Sequence, residues 1–166
     1  MTFPDVRWGS EASRLRGPLV AFSCSKPGSW LIRKATPLDR KLLMSSKGKY
    51  TVLGPLGIPM LLLTTTGAKS GLPRTTPLVY TRHGGGLVVV GSNFGQAHHP
   101  LWTKNLLAHP DPIVSIGGQE IPAVATLLEG DDAEAAYNAM EAQARTYTEY
   151  RSRTDRDIRV FRLTPA

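Results

Sequence analysis

The apolar runs of this chain are short, and most of them end on a turn rich in glycine, a pattern that dictates short antiparallel strands rather than long helices. Ile58 to Leu63 is an aliphatic strand-like run, and Arg74 to Arg82 reads as the strand that follows it after the polar stretch TTTGAKSGLPR. His83-Gly84-Gly85-Gly86 then turns the chain into Leu87 to Ser92, an almost wholly apolar strand that must be buried on both faces and that forms a hairpin with its predecessor. Ile113 to Ile116 and Gln119 to Leu127 are strands joined by Gly117-Gly118, a favoured two-residue hairpin turn, and Ile158 to Leu163 is the last strand, alternating apolar and basic residues. Two helices interrupt them. One starts with Pro100 as its first residue, runs through LWTKNLLAH and stops at His109-Pro110-Asp111-Pro112. The other is capped by Asp131 or Asp132 and packs through Ala135, Ala136, Ala139, Met140 and Ala144. The chain is therefore expected to be mainly β (α+β), a small β-barrel with helices attached.

Charge divides the molecule. Residues 1–50 carry 10 cations and 3 anions, so the whole formal excess of +7 lies there, while residues 51–166 are balanced. The division sets a basic, partly helical N-terminal arm, 1–50, apart from a barrel domain, 51–166. The arm holds Trp8, Trp30, Leu31, Ile32, Leu38, Leu42 and Leu43, which fits either a segment lying on an anionic membrane surface or one that covers a mouth of the barrel or pairs with a second subunit to form a homodimer. Pro18, Pro27 and Pro37 break any long interfacial helix and favour covering or pairing over the membrane role. No run reaches the ~18 apolar residues of a membrane span, so a cytoplasmic protein is expected, with peripheral membrane contact through the arm as the alternative. Cys24 stands alone and forms no internal disulfide; His83, His98, His99 and His109 lack metal-ligand spacing, so no metal is expected. Nucleic acid is not an expected partner, because the basic excess lies in the arm and no nucleic-acid motif is present.

Three clusters carry candidate chemistry. In the turn after Leu63, Gly67 and Gly71 can bring backbone N–H groups together, the hydroxyls of Thr64, Thr65, Thr66 and Ser70 add donors, and Lys69 and Arg74 add charge. From the residues alone this is either an anion cradle or a basic solvated turn. It is not a P-loop, since Lys69-Ser70 follows Gly67 by one residue and precedes a glycine. The second cluster is the strand end Val90-Gly91-Ser92-Asn93-Phe94-Gly95, where backbone can approach a flat ring and the helix beginning at Pro100 aims its free N–H groups. The third comprises Tyr137, Tyr147 and Tyr150, which suit either a pocket for a planar substrate or a helix packed by its aromatic residues.

Taken together, LLTTTGAKSGLPRTTPL, GSNFGQAHHPLW, Asn105 and TYTEYRSRTDR, in that order, make residues from about Gly57 to Arg162 similar to the deazaflavin-dependent nitroreductase and quinone reductase family of actinobacteria. The resemblance implies a split β-barrel, like that of FMN-binding proteins, that binds coenzyme F420, an 8-hydroxy-5-deazaflavin with a phosphate and a polyglutamate tail. By the same resemblance Ala68, Lys69, Ser70, Arg74, Thr75, Thr76, Pro77, Leu78 and Val79 match the first cofactor segment, Val90, Gly91, Ser92 and Asn93 the second, and Leu101, Trp102, Thr103, Lys104 and Asn105 the third. Tyr147 and Tyr150 match tyrosines that close the substrate pocket, with Tyr147 also touching the cofactor. Val79 and Ala144 stand where the nitroreductases have tyrosines, which argues against bulky bicyclic nitroimidazoles as substrates. The implied reaction is hydride transfer from F420H2 to a small-molecule acceptor: a quinone, an activated enone or a nitroaromatic. Ser92 is the candidate to polarise the acceptor or the deazaflavin carbonyl, and Tyr147 or Tyr150 to supply the proton. An FMN-dependent oxidoreductase of the same fold and a non-catalytic deazaflavin carrier are the alternatives.

Overall fold

A computed structural model describes residues 2–5, 41–50 and 58–166. The elements run β1 (Met60–Thr66), β2 (Pro73–Val79), β3 (Thr81–His83), β4 (Gly86–Val90), a 3₁₀ turn (Asn93–Gly95), α1 (Leu101–Ala108), β5 (Ile113–Ile116), β6 (Gln119–Leu128), α2 (Gly130–Gln143), α3 (Thr146–Ser152) and β7 (Val160–Pro165). Seven strands form one sheet in the order β2-β1-β5-β6-β7-β4-β3, every pairing antiparallel.

Two strands curl this sheet into a split barrel. β6 spans both halves, with Gln119 to Pro122 on β5 and Ala123 to Leu128 on β7. On the opposite side, the expected strand Arg74 to Arg82 is divided at Tyr80, because its first part pairs with β1 and only Thr81 to His83 pair with β4. The two ends of the strand order are thus neighbours in sequence, so the sheet comes back on itself. The buried Tyr80 marks the change of partner: its N–H donates to Pro59 O (3.2 Å) and its carbonyl accepts from Gln143 Nε2 (2.6 Å).

The apolar pattern fills two cores. Leu61, Leu63, Leu87, Val89, Val114, Ile121, Phe161 and Leu163 point into the barrel, where Trp102 and Leu106 of α1 plug one end. Val88, Val90, Leu128 and Val160 face outward under Ala136, Tyr137, Met140 and Tyr147. β4 is accordingly buried on both faces, as its unbroken apolar run requires. The described parts of the N-terminal fifty residues lie on this frame: Phe3 joins the barrel core, Leu43 is fully buried, Gly118 N donates to Lys47 O (3.2 Å) and Lys47 pairs with Glu120 (3.0 Å). Trp8, Trp30, Leu31, Ile32 and Leu38, with Cys24, lie outside the described residues.

Local expectations change at the helix starts. Pro100 is extended (ψ 145°) and precedes α1 as its N-cap instead of being its first residue. Glu129 occupies the N-cap of α2 without a side-chain capping bond, and Asp131 and Asp132 sit in the first turn, where their charge meets the positive end of the helix dipole. Ala135 is exposed; Tyr137 takes the packing position in its place. β4 ends at Val90, β6 extends to Leu128 and β7 starts at Val160 and reaches Pro165. No helix among the described residues is long and apolar enough to cross a membrane.

Candidate active site

α1 joins the basic turn to the strand end, and the 3₁₀ turn after the strand end meets the tyrosines. Asn105, buried on the inner face of α1, accepts from Ala68 N through Oδ1 (3.0 Å) and donates through Nδ2 to Thr65 Oγ1 (3.0 Å), so it fastens the basic turn to the helix. Asn105 therefore acts as a strut, with both ends of its amide engaged by the protein. Thr65 Oγ1 also reaches Arg74 O (3.3 Å), and the Thr64 and Thr75 hydroxyls bond one another (2.9 Å) across the β1–β2 pair. The Thr64 and Thr65 hydroxyls, expected in an anion cradle, are spent inside the sheet, because β1 runs on to Thr66 and the turn proper is residues 67–72. Of its two glycines only Gly71 takes positive φ (66°); a Cβ on Gly67 would crowd the Ser70 hydroxyl (2.5 Å) and Leu72 O (3.1 Å). Ala68, Lys69, Ser70 and Arg74 are exposed, and neither cation makes an ion pair with any described residue.

At the other end of α1, Gly91 is wedged against the helix start: a Cβ there would stand 2.8 Å from Thr103 Cγ2 and 3.2 Å from Arg159 O. Thr103 is fully buried, giving its hydroxyl to Pro100 O (2.8 Å) and accepting from Arg159 Nη1 (3.3 Å). Trp102 lies in the barrel core against Phe161 (5.9 Å between ring centroids), while Leu101 and Lys104 are exposed on the outer side of the helix. Thr75, Thr76, Pro77, Leu78 and Val79 lie half-buried along β2, which ends the strand order; Leu78 leans on the barrel core and Val79 on the outer one. Val90 and Ser92 are buried and Asn93 is half-buried. The Ser92 hydroxyl makes no hydrogen bond with any described residue, although its carbonyl accepts from Arg156 Nη2 (2.7 Å).

The tyrosines form a stair of edge-on rings. Tyr137 meets Tyr147 at 6.5 Å, Tyr147 meets Tyr150 at 5.5 Å, and the exposed Phe94 continues it from the strand-end turn at 5.7 Å from Tyr150. Tyr137 Oη donates to Tyr147 O (2.9 Å). Burial pushes the Tyr147 phenol well above its ordinary range, and burial with the nearby Glu141 carboxylate pushes Tyr137 up to about 12. Burial raises Tyr150 as well, against a Thr146 hydrogen bond and the Arg153 charge. All three stay protonated at neutral pH, so each phenol has a proton to donate.

Three features here carried no role in the sequence. A cavity of about 800 Å³ opens between the end of β6, the start of α2 and the segment leading into β7, bordered by His99, Tyr137, Arg151, Arg156 and Arg159, with none of the expected cofactor residues in its wall. Arg151 closes one side, gripping Glu134 through two bonds (2.9 and 2.6 Å) and lying 4.9 Å over the Tyr137 ring. Arg156, the last residue of TYTEYRSRTDR, makes the contacts that hold the strand-end turn. Its only sequence signal was its place in that motif. No group of side chains among the described residues could hold a metal ion.

Comparison with known proteins decides the family. Residues 38–165 match the family model of the F420H2-dependent quinone reductases. The chain belongs to that family. It is 40% identical over 109 residues to an F420H2-dependent quinone reductase of Mycobacterium tuberculosis, an overlap of 64% of this chain and 73% of the relative. A solved F420-H2 dependent reductase, FDR-A, shares 38% identity with a TM-score of 0.58, over 63% of this chain and 93% of its own. A second solved chain, described as a domain-swapped dimer, shares 33% identity with a TM-score of 0.59, over 83% and 99%. The family's cofactor is thus F420, as the resemblance implied, and its members are enzymes. The residues of this family member fit such a group: Lys69 and Arg74, exposed and without an ion pair among the described residues, suit an anionic tail.

Proposed function

We propose that this protein reduces a quinone with F420H2, holding the coenzyme along the line from the basic turn through α1 to the strand end. The observation that carries the reading is the way α1 links the two regions, bonding the basic turn through Asn105 and packing Thr103 against Gly91, while the turn after Ser92 meets the Tyr150 ring through Phe94. Lys69, Ser70 and Arg74 would hold the phosphate and glutamate tail, while Val90 to Asn93 and the outer residues of α1 would border the ring. When bound, F420H2 supplies a hydride from carbon, so the protein has to bind, orient and manage one proton. Ser92 donates to the oxygen that gains charge as the acceptor is reduced. Tyr150 is the better proton source of the two tyrosines, since it is half-buried and can be reprotonated from water, whereas Tyr147 is almost wholly enclosed.

Val79 and Ala144 pack beside Tyr147 and Tyr150, at the positions where nitroreductases resembling this chain carry tyrosines. With these smaller side chains, quinones and small activated enones or nitroaromatics suit the site better than bulky bicyclic nitroimidazoles. The arm would pack on the barrel, a reading that the burial of Phe3 and the Lys47–Glu120 pair support. The test is a fluorescence titration with oxidised F420 beside FMN, followed by anaerobic mixing of F420H2 with menadione. Saturable F420 binding and oxidation on adding the quinone are expected. Binding without oxidation would make the protein a carrier, and preference for FMN would move it to flavin chemistry on the same fold.

A further inference from the structure

Asn93 and Phe94 are successive non-glycine residues with left-handed backbones, φ 47° and 56°. For Phe94 such a backbone costs about 1 kcal/mol or more and persists only where its surroundings impose it, whereas asparagine enters this region more readily. Burial does not impose it here, because Phe94 is 68% exposed and meets only the edge of Tyr150. The local bonds, Gly95 N to Ser92 O (2.9 Å), Gln96 N to Asn93 O (3.0 Å) and Asn93 Nδ2 to His98 O (3.0 Å), lie within or beside the same surface turn. The turn is tied to the rest of the protein in two ways: Gly95 lies close against the end of α3, where a Cβ would stand 2.7 Å from Arg153 Cβ and 2.8 Å from Tyr150 O, and side-chain hydrogen bonds reach both sides of the turn from Arg156. Its guanidinium donates to Gly91 O (3.0 Å) and Ser92 O (2.7 Å) on one side of the turn, and to Gln96 O (2.9 Å) and His99 Nδ1 (3.2 Å) on the other.

We infer that Arg156 is a positioning residue of the reductase site, clamping the 91–96 turn so that Ser92 is held at the strand end and the Phe94 ring stays beside Tyr150. The inference rests on the proposed function for its effect on catalysis, though not for its effect on the turn. A planar fork with five N–H groups can satisfy four acceptors on both sides of one turn; a lysine ammonium at the same place has three donors radiating from a single atom and cannot span them.

Arg156→Lys and Arg156→Ala test it. Amide hydrogen exchange without coenzyme should speed up by about tenfold or more at Gly95 and Gln96 in both variants, while amides of β4 and β7 keep their protection. With F420H2 and menadione, kcat should fall about ten- to a hundredfold, because displacement of a reacting group by about 1 Å is enough for such a loss. F420 affinity, anchored at the opposite end by Lys69 and Arg74, should change by no more than about threefold. Guanidinium at millimolar concentration should restore part of the rate to the alanine variant and none to the lysine variant. Unchanged exchange at Gly95 and Gln96, or accelerated exchange with kcat intact, would overturn the inference. If the alanine variant does not fold, the lysine variant decides by the same two readouts. A wild-type protein that neither binds F420 nor oxidises F420H2 would sink the proposed function, while the exchange result would still show whether Arg156 holds the turn.

Discussion

Lys69 and Arg74 are the simplest residues in this site to read, since both were named from their place between two apolar strands and both stand exposed without an ion-pair partner among the described residues. Their attraction for an anionic tail acts through water and is screened over about 8 Å at physiological salt. Lys69→Ala and Arg74→Ala should each weaken F420 binding several-fold in dilute buffer, and the gap to wild type should narrow as salt is added. Affinity in dilute buffer that matches wild type in both variants would remove these residues from the site. Asn105 teaches the opposite lesson. Its residue type and spacing were visible, but its bonds to Ala68 and Thr65 depend on which groups α1 meets after folding.

At the scale of elements, the joint between β4 and α1 decides how closely the strand end approaches the helix start. Gly91 has no Cβ because Thr103, Pro100 and the Arg159 carbonyl already fill that space. Gly91→Ala should force the strand end off the helix and cost about 1–3 kcal/mol, as overpacking in a close-packed joint does. A domain of this size then loses roughly 2–4 °C of Tm for each kcal/mol. A Tm equal to wild type would mean that the joint yields easily. The sequence marked Gly91 as a point of close approach, and in the structure protein stands against its Cβ position. Helix starts were misread because the path of the preceding strand sets the cap. Asp131 and Asp132 have capping chemistry, but the chain leaves β6 so that Glu129 falls at the cap, and only the path of the strand fixes that register.

At the scale of the whole molecule, the segment before β7 binds the two halves of the site and makes stability depend on pH. Arg156 cannot accept a hydrogen bond, so His99 Nδ1 must, and the ring is neutral with its proton on Nε2. Burial, together with the charges of Arg159, Arg156 and Lys104 and against that of Asp157, lowers the His99 pKa from 6.5. A histidine whose folded pKa lies below its unfolded value contributes fully above about pH 6.5; as pH falls below that, the unfolded chain takes up the proton first and the contribution is lost. His99→Gln keeps an acceptor for Arg156 and removes the titration. The Tm advantage of wild type over this variant should therefore shrink between about pH 7 and pH 5. A difference that stays constant with pH would show that His99 titrates alike in both states.

What the sequence determined by itself was the set of parts: short strands between glycine turns, β4 buried on both faces, a basic turn, a tyrosine pair and the motifs that carry the family. Those follow from hydrophobic period and turn chemistry, which act over a few residues. The tertiary structure decided what those parts touch. Tyr80 divides one apparent strand between β1 and β4, Thr64 and Thr65 spend their hydroxyls inside the sheet, and Arg156 reaches back 60 positions or more to Gln96, Ser92 and Gly91. Partners so distant in the chain leave no periodicity behind them, because they meet only when the sheet curls and its two ends close at Tyr80.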